Sequence, residues 1–180
     1  GHGEPLRLRD HSHDGTLTLE DSEFADNATN FVTGAIWLAA QGPWAVRRTL
    51  FKKNTVVLNG FTAISAVGSG AGVIENSTFI GNSSGTGGVI ESQVPMTIRN
   101  STFYGNVATW VPGQAVVVAE SSTLGLSSNL FGKHEYPDVL EYLPGGAQVV
   151  ATRNLFDTTA ALLPAGTVCA ASTAGGANLC

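Results

Sequence analysis

The 180-residue sequence predicts an all-β fold, a single-stranded parallel β-helix of about five to six coils with three short strands in each coil. The first observation is a repeat, since residues 72–82 (GVIENSTFIGN) return as residues 96–106 (MTIRNSTFYGN). Weaker copies lie on both sides, and a phenylalanine recurs every 24 to 28 residues, at Phe24, Phe51, Phe79, Phe103, Phe131 and Phe156. A period of this size indicates a stacked array of repeats. The second observation is the composition, 13% charged residues and 22 glycines, which suits many short strands.

Two strands of each coil can be placed from the six phenylalanines. When each Phe is position zero, apolar residues recur at −7 and −5, the period-2 pattern of a strand with one buried face. Position −2 is small and polar in every copy, and we expect it and the Phe to point inward. A third strand follows a Gly-rich link, at residues 34–38, 62–65, 87–91, 114–118 and 146–149. Such short strands gain a core only by stacking about 4.8 Å apart, and the rule for parallel crossovers predicts a right-handed coil.

The predicted corners of the coils carry short polar residues. Asparagine occurs at position −3, between the two strands, at Asn76 and Asn100, and it occupies position +3 in the first four coils, at Asn27, Asn54, Asn82 and Asn106. Asparagine tolerates the left-handed backbone of a corner, and stacked corners would let each amide bond the next. Four asparagines also lie in N-x-S/T sequons, namely Asn27, Asn76, Asn82 and Asn100. We favour an amide ladder over glycosylation, because the repeat alone accounts for every one of them.

The chain is predicted to be one domain. Residues 1–14 form an N-terminal cap strand, residues 15–157 the repeat coils, and residues 158–180 a C-terminal cap. The net charge is −5, and the nine Lys and Arg residues are scattered, so no basic face is expected. We therefore expect no nucleic-acid partner, no direct insertion into a membrane and no cofactor.

Two motifs resemble those of bacterial surface proteins. A Gly-Gly-(Ala/Val)-(Ile/Val) segment paired with Phe-x-x-Asn, as in residues 87–90 and 103–106, is similar to the repeat of polymorphic outer-membrane-protein β-helices. The run NSTFxGN, followed by residues 128–131 (SNLF) and 137–139 (PDV), resembles surface proteins with the choice-of-anchor Q domain. The similarity covers residues 15–157. It implies an exported bacterial protein, secreted or at the cell surface, commonly an adhesin-like stalk, and it brings no catalytic residues.

Position −4 alternates in charge over the first four coils, as Glu20, Arg47, Glu75 and Arg99. Stacking would bring opposite charges together at every interface, and a slip by one coil would bring like charges together. We therefore predict that this column sets the register and adds little strength, because exposed pairs are worth about 0 to 1 kcal/mol each. The alternative is a polar binding strip in which Arg47 and Arg99 contact a ligand.

Two clusters could hold a metal ion. The first full coil carries four acids, Glu20, Asp21, Glu23 and Asp26, and lyases built on β-helices gather such carboxylates around Ca²⁺. The next coil offers basic residues at and near the same columns, Arg47, Arg48, Lys52 and Lys53, which would neutralise the acids by pairing. His11 and His13 could share a Zn²⁺, but a third protein ligand is not evident. We predict no metal site.

Outward aromatic residues could stack on sugars. Tyr104 at position +1 is expected to point outward, and Trp110 lies in the loop 107–113 that interrupts the repeat. Together with Arg47 and Arg99, these are the predicted ligand-binding residues, for a surface glycan or a partner protein. Trp44 lies in an inward column and is assigned to the core.

The longest insertion, residues 132–146, holds four titratable residues, His134, Glu135, Asp138 and Glu141. A general acid and base could be built there, but its place near the end of the array favours a transition to the cap. We therefore predict no catalytic residues and a non-catalytic stalk or binding module. The alternative is a polysaccharide-active enzyme, a lyase, hydrolase or epimerase, which the acidic cluster of the first coil supports.

The two cysteines, Cys169 and Cys180, both lie beyond the last repeat. An open β-helix end exposes strand edges and apolar core, so it needs a cover, and this segment is rich in small, flexible residues. We predict a disulfide between them, worth about 3 kcal/mol in the chain-entropy model and compatible with export to an oxidising environment. The alternative is two free thiols in a cytosolic protein.

Overall fold

The computed structural model describes residues 6–10, 15–30, 34–58, 60–85, 87–108, 117–120, 122–132, 140–143, 148–156, 169–170 and 178–179. Within these residues, all regular structure is β-strand. The first coil comprises β1 (Leu6–Asp10), β2 (Leu17–Glu20), β3 (Glu23–Ala25) and β4 (Ala28–Thr29), and the second β5 (Ile36–Ala40), β6 (Trp44–Arg47), β7 (Leu50–Lys52) and β8 (Thr55–Val56). The third comprises β9 (Ile64–Gly68), β10 (Gly72–Glu75), β11 (Thr78–Ile80) and β12 (Ser83–Ser84), and the fourth β13 (Ile90–Ser92), β14 (Met96–Arg99), β15 (Thr102–Tyr104) and β16 (Val107–Ala108).

The remaining coils have three strands each among the described residues. The fifth comprises β17 (Val117–Glu120), β18 (Thr123–Ser127) and β19 (Leu130–Gly132), and the sixth β20 (Leu140–Leu143), β21 (Gln148–Thr152) and β22 (Leu155–Phe156). Two short strands follow, β23 (Cys169–Ala170) and β24 (Asn178–Leu179).

Strands at equal positions in successive coils pair in parallel and form four sheets. Sheet 1 is β1-β5-β9-β13-β17-β20, and sheet 2 is β2-β6-β10-β14-β18-β21. Sheet 3 runs from β3 through β7, β11, β15, β19 and β22 to β24 and β23, and sheet 4 is β4-β8-β12-β16. The predicted parallel β-helix is confirmed, and sheet 4 adds a fourth, two-residue strand to each of the first four coils.

Four of the five strands predicted after the Gly-rich links belong to sheet 1 but begin two or three residues later than expected, for example at Ile36 and Ile90. The Gly-rich segments before these strands are not part of the sheet, and their backbone lies against the backbone of an adjacent coil. A Cβ on Gly34 would lie 2.3 Å from the carbonyl oxygen of Thr62, so only glycine fits there. In the sixth coil the predicted strand 146–149 is wrong, because residues 140–143 of the assigned insertion supply the sheet 1 strand and pair with β17.

The six phenylalanines stack in one inward column of sheet 3, as predicted. Neighbouring ring centroids lie 4.6 to 5.2 Å apart, and the rings are tilted by 1 to 11°. Five of them are at most 2% exposed, whereas Phe24 in the first coil is half-buried. Since the centroid spacing matches the spacing of paired strands, each ring packs on the next without bending the coils.

The inward residues of sheet 2 form the second half of the core. At position −5, Val46, Ile74 and Ile98 are aligned and at most 1% exposed. At position −7, the indole of Trp44 covers Gly72, where a Cβ would lie 2.0 Å from the ring. Trp44 is buried as predicted, and its indole N–H donates to the carbonyl of Gly70 at 3.1 Å. The large side chain in one coil is thus accommodated by the absence of a side chain in the next.

Both corners that flank sheet 3 are turned by one left-handed residue followed by an inward polar residue. The left-handed residues have φ between 46° and 63° and are Asp21, Arg48, Asn76, Asn100, Ser128 and Arg153 at position −3, and Asp26, Lys53, Gly81 and Gly105 at position +2. The expectation that corner asparagines adopt this backbone is confirmed for Asn76 and Asn100 at position −3 and is wrong for the +3 asparagines, because their turn is made one residue earlier. This allows Asn54, Asn82 and Asn106 to point into the coil, where they are buried.

The predicted amide ladder of the +3 asparagines is confirmed. The backbone N–H and Nδ2 of each donate to Oδ1 of the next, at 2.8 to 3.3 Å, from Asn27 through Asn54 and Asn82 to Asn106. Nδ2 of the last three also donates to the carbonyl of the Phe in the preceding coil. Asn82, one of the sequon asparagines, is fully buried in this ladder.

A second ladder runs along position −2, at the corner before sheet 3. Backbone N–H groups donate to side-chain oxygens of the next coil through Thr49, Ser77, Ser101, Asn129 and Asn154, at 2.9 to 3.2 Å. These five side chains are at most 2% exposed, as predicted for an inward position. In the fifth and sixth coils asparagine replaces serine, and Nδ2 donates to the carbonyl of the −5 residue in the preceding coil.

Candidate functional site

The ion pairs found among the described residues lie in the charged column on the outer face of sheet 2 and at the corner that follows it. The register pairs Glu20 with Arg47, Arg47 with Glu75, and Glu75 with Arg99. Arg47 Nη1 donates to Glu20 Oε1 at 3.0 Å, and Arg47 Nε donates to Glu75 Oε1 at 2.5 Å. The predicted alternation of charge is confirmed, and every predicted neighbour pair of the column is in contact.

Arg48 strengthens the first interface of the column. Its Nε and Nη2 donate to the two carboxylate oxygens of Asp21, at 2.7 and 2.8 Å. Nη2 also donates to Glu20 Oε2 at 3.0 Å. Arg48 and Asp21 are both left-handed corner residues, so the corner itself directs the two side chains toward each other. The prediction that the basic residues of the second coil neutralise the acids of the first is confirmed for Glu20 and Asp21.

The arginines shift the pKa of every carboxyl that they contact. Hydrogen bonds from Arg47 and Arg48 lower the pKa of Glu20, and the bond from Arg48 lowers that of Asp21. Bonds from Arg99 and then Arg47 lower the pKa of Glu75. In return, the pKa values of Arg47 and Arg48 are raised, mainly by their bonds to Glu20 and Asp21 respectively. These groups are therefore ionised at neutral pH.

The column changes character after the fourth coil. Arg99 Nε donates to Glu75 Oε2 at 2.7 Å, and Arg99 Nη2 lies 2.5 Å from the same oxygen. On its other side, the register places Ser127 of the fifth coil beside Arg99, followed by Thr152 of the sixth. Half of the Arg99 side chain is exposed, against 36% for Arg47.

Tyr104 lies on the outer face of sheet 3, in the same coil as Arg99. It is 40% exposed and is aligned with Ile80 of the preceding coil. Leu130 and Leu155, also on this outer face, are 36% and 44% exposed. The predicted partner of Tyr104, Trp110, lies outside the described residues, so its place beside Tyr104 stays a prediction.

A further polar pair lies on sheet 1 and was not predicted. Ser65 Oγ donates to Glu91 Oε2 at 2.5 Å, and Gln93 Nε2 donates to Glu91 Oε1 at 3.2 Å. The register of sheet 1 aligns Ser65 with Glu91. The pair could have been predicted from the sequence if the sheet 1 strands had been given their correct starts. The predicted strands began too early, which put Ser65 and Glu91 out of register.

The remaining predicted site residues are less informative. Glu23 and Asp26 are exposed, and the described residues contain no group of three or more metal-ligating side chains. His11, His13, His134, Glu135 and Asp138 lie outside the described residues, while Glu141 belongs to β20. Cys169 lies in β23 and Cys180 outside the described residues, so the disulfide stays a prediction.

The described part of the chain has no helix of the length and hydropathy needed to cross a membrane.

Comparison with known proteins identifies the architecture. The family described as right handed beta helix region matches residues 34–178. No curated protein and no solved structure matches the chain. Because the match extends over more than half of the sequence and agrees with the stacked parallel sheets, the chain belongs to the right-handed β-helix family.

Proposed function

We propose that the chain is a non-catalytic stalk or binding module, secreted or displayed on a bacterial cell surface, whose outer face contacts a glycan or a partner protein. The observation that carries this proposal is the mutual pairing of the outer charges. Glu20, Asp21 and Glu75 each accept hydrogen bonds from arginines of adjacent coils, which lower their pKa values. A carboxyl that donates a proton as a general acid at neutral pH needs a pKa raised toward the working pH, and here the shift has the opposite sign.

The same pairing weakens the alternative of a polysaccharide-active enzyme. That alternative depended on the acidic cluster of the first coil as a Ca²⁺ site. Two of its four acids, Glu20 and Asp21, already have arginine partners at 2.7 to 3.0 Å. An ion would have to displace these cations before it could bind, so the cluster is better suited to holding coils together.

The stacked sheets support a role in display. Strand pairing, the Phe column and the two polar ladders connect each coil to the next, which makes the body stiff. Tyr104, 40% exposed on such a surface, offers a ring that can stack on a sugar at little cost in ordering. The resemblance to polymorphic outer-membrane-protein repeats and to choice-of-anchor Q proteins favours export and an adhesin-like role.

The function is tested by measuring binding and turnover side by side. Labelled protein is applied to a glycan array and to bacterial and host cell surfaces, and the unlabelled protein is incubated with acidic polysaccharides with Ca²⁺ and with a chelator. We expect binding without release of product. Tyr104→Ala should lower the affinity for a bound glycan about three- to tenfold, whereas Tyr104→Phe, which keeps the ring, should retain it. Calcium-dependent cleavage of a polysaccharide would overturn the proposal in favour of the enzyme.

Export is tested separately through the cysteines. A free-thiol assay on unfolded, unreduced protein should find no titratable thiol if Cys169 and Cys180 are joined. Two titratable thiols would show that the two cysteines are not joined, and they would remove the main argument that these residues give for export.

A further inference from the structure

Arg47 has an acidic neighbour on each side in the column, and its guanidinium binds both of them. Its Nε faces Glu75 of the third coil, and its Nη1 faces Glu20 of the first coil. The planar fork of arginine thus binds one carboxylate on each of its two sides. Within this column, a fully engaged arginine lies between two carboxylates that are stacked along the axis.

Arg99 has the same position in the column but only one carboxylate. Its Nε and Nη2 both approach Glu75, and in a planar guanidinium this directs the N–H groups of Nη1 away from that residue. The neighbour on that side is Ser127, whose short side chain does not fill the volume of a glutamate. The part of the fifth coil whose side chains are described, residues 122–132, contains no carboxylate that could pair with Arg99. The alternation therefore leaves one position for an acid unfilled.

We propose that this position, between Arg99 and Ser127, binds a carboxylate of an acidic polysaccharide. The ligand carboxylate accepts from Arg99 Nη1, as Glu20 accepts from Arg47 Nη1, and Ser127 Oγ is available as a second donor. This inference rests on the proposed function and deepens it, because it names the class of glycan and the residues that bind its charge. Charge-assisted bonds of this kind are the strongest polar contacts that an exposed surface offers.

The surroundings of Arg99 favour a polysaccharide over a lone anion. Exposed neutral donors and acceptors lie on the same coil, at Thr97 and at the corner residue Asn100, and Tyr104 adds an aromatic surface on the adjoining sheet. A second exposed cation, Arg153, turns the same corner two coils later. Two coils are about 10 Å along the axis, so a polymer with repeated carboxylates can reach both cations. Hydroxyls of the sugar units would bond the neutral groups between them.

The experiment places an acidic side chain of the protein itself in the unfilled position beside Arg99. Ser127→Glu supplies the missing carboxylate, which should pair with Arg99 and exclude the ligand. Ser83→Glu is the matched control, since Ser83 is an equally half-exposed, outward serine on sheet 4, and the change in net charge is the same. The probe is polygalacturonate, and its affinity is measured by titration at fixed low salt because exposed charge pairs are screened.

We expect Ser127→Glu to weaken binding of polygalacturonate about tenfold or more and Ser83→Glu to change it by less than about twofold. The unfolding midpoint of Ser127→Glu should stay level or rise by up to about 4 °C, because one exposed pair is added. Arg99→Gln gives an independent measurement and should also weaken binding about tenfold.

Four outcomes would overturn the inference. They are the absence of polygalacturonate binding, unchanged binding by Ser127→Glu, equal binding of the fully methyl-esterified polymer, and preferential binding of poly-glutamate, which would indicate an acidic protein partner. None of them alone removes the proposed function, which fails only when the array and the cell surfaces also bind nothing or when a polysaccharide is cleaved.

Discussion

The first four coils and the last two solve the same packing problem at different corners. In the first four, asparagines follow sheet 3 and are buried from the second coil on, and Nδ2 of Asn82 satisfies the carbonyl of Phe51 in the preceding coil. In the last two, buried asparagines precede sheet 3, and Nδ2 of Asn129 satisfies the carbonyl of Ile98. In both cases a left-handed residue comes immediately before the asparagine, and the carbonyl belongs to the residue three positions earlier in the preceding coil. The two corners are therefore one motif used twice.

The outer face differs along the same boundary. Glutamate and arginine alternate at position −4 through the fourth coil, and Ser127 and Thr152 replace them in the fifth and sixth. The Phe column crosses this boundary without change, with centroid spacings of 4.6 Å before it and 4.9 Å across it. The apolar column thus defines the fold throughout, while amides and charges can move between positions as long as each buried carbonyl has a donor.

The largest effect is expected in the column that both regions share. Phe79→Ala removes a fully buried ring between two stacked neighbours and should cost about 3 to 5 kcal/mol in the free energy of unfolding. Phe131→Ala, on the other side of the boundary, should cost a similar amount. Chemical denaturation measures both, and a loss below about 1 kcal/mol for either would show that the column does not carry the stability of its region.

The two ladders should differ in their tolerance of serine. Asn82→Ser removes the donor to Phe51 O and the acceptor shared by two donors of Asn54, so it should cost about 2 to 3 kcal/mol. Asn129→Ser also removes a donor, the one to Ile98 O, but should cost only about 1 kcal/mol, because Ser101 holds the same position in the coil before it and shows that a serine there still accepts from the N–H of the preceding coil. Equal losses in denaturant melts would show that the two corners are not distinguished in this way.

A smaller effect is expected where a large side chain faces a glycine. Gly72→Ala would place a Cβ against the indole of Trp44, and overpacking of this kind should cost about 1 to 2 kcal/mol. The double variant Gly72→Ala with Trp44→Leu provides the control. If it is not more stable than the sum of its two single variants predicts, the two residues are not coupled through this contact.

The smallest effect is expected in the charged column, which belongs to the first region alone. Glu75→Gln should change stability at neutral pH by about 1 kcal/mol or less. Because the arginines lower the pKa of Glu75 below its ordinary value of 4.5, its contribution is complete above that pH and is lost as the pH falls through the lowered value. The variant should therefore lose less stability than the parent between about pH 5 and pH 3. A thermal melt series over that range measures the difference, and parallel curves would exclude the linkage.

Much of the fold could be predicted from the sequence because its inward residues recur at constant spacing. The phenylalanines, the −5 residues and the +3 asparagines all lie where periodicity put them. The charge column was predictable for the same reason, since each member pairs with the residue one repeat away. Placement of these side chains needed only the repeat length and the alternation of a strand.

What could not be predicted depends on contacts within the backbone. The start of each sheet 1 strand is set by the close approach of coils at Gly34 and its counterparts, which no side-chain pattern reveals. The left-handed residue of a corner can be Asp21, Arg48 or Gly81, so its identity carries little signal. The sequence position of Arg99 also does not show that its guanidinium contacts a carboxylate on one side only. That depends on which guanidinium nitrogens face Glu75.

The alternating column has a consequence for how the chain can change in length. The aromatic column repeats once per coil, so a whole coil added or removed leaves every ring with neighbours. The charges repeat once per two coils, and removing the third coil would set Arg47 directly against Arg99. Loss or gain of a single coil among the first four is therefore penalised by like charges, whereas loss or gain of a pair is not. Among the first four coils, insertions and deletions that add or remove an even number of coils are therefore favoured over those that change the number by one.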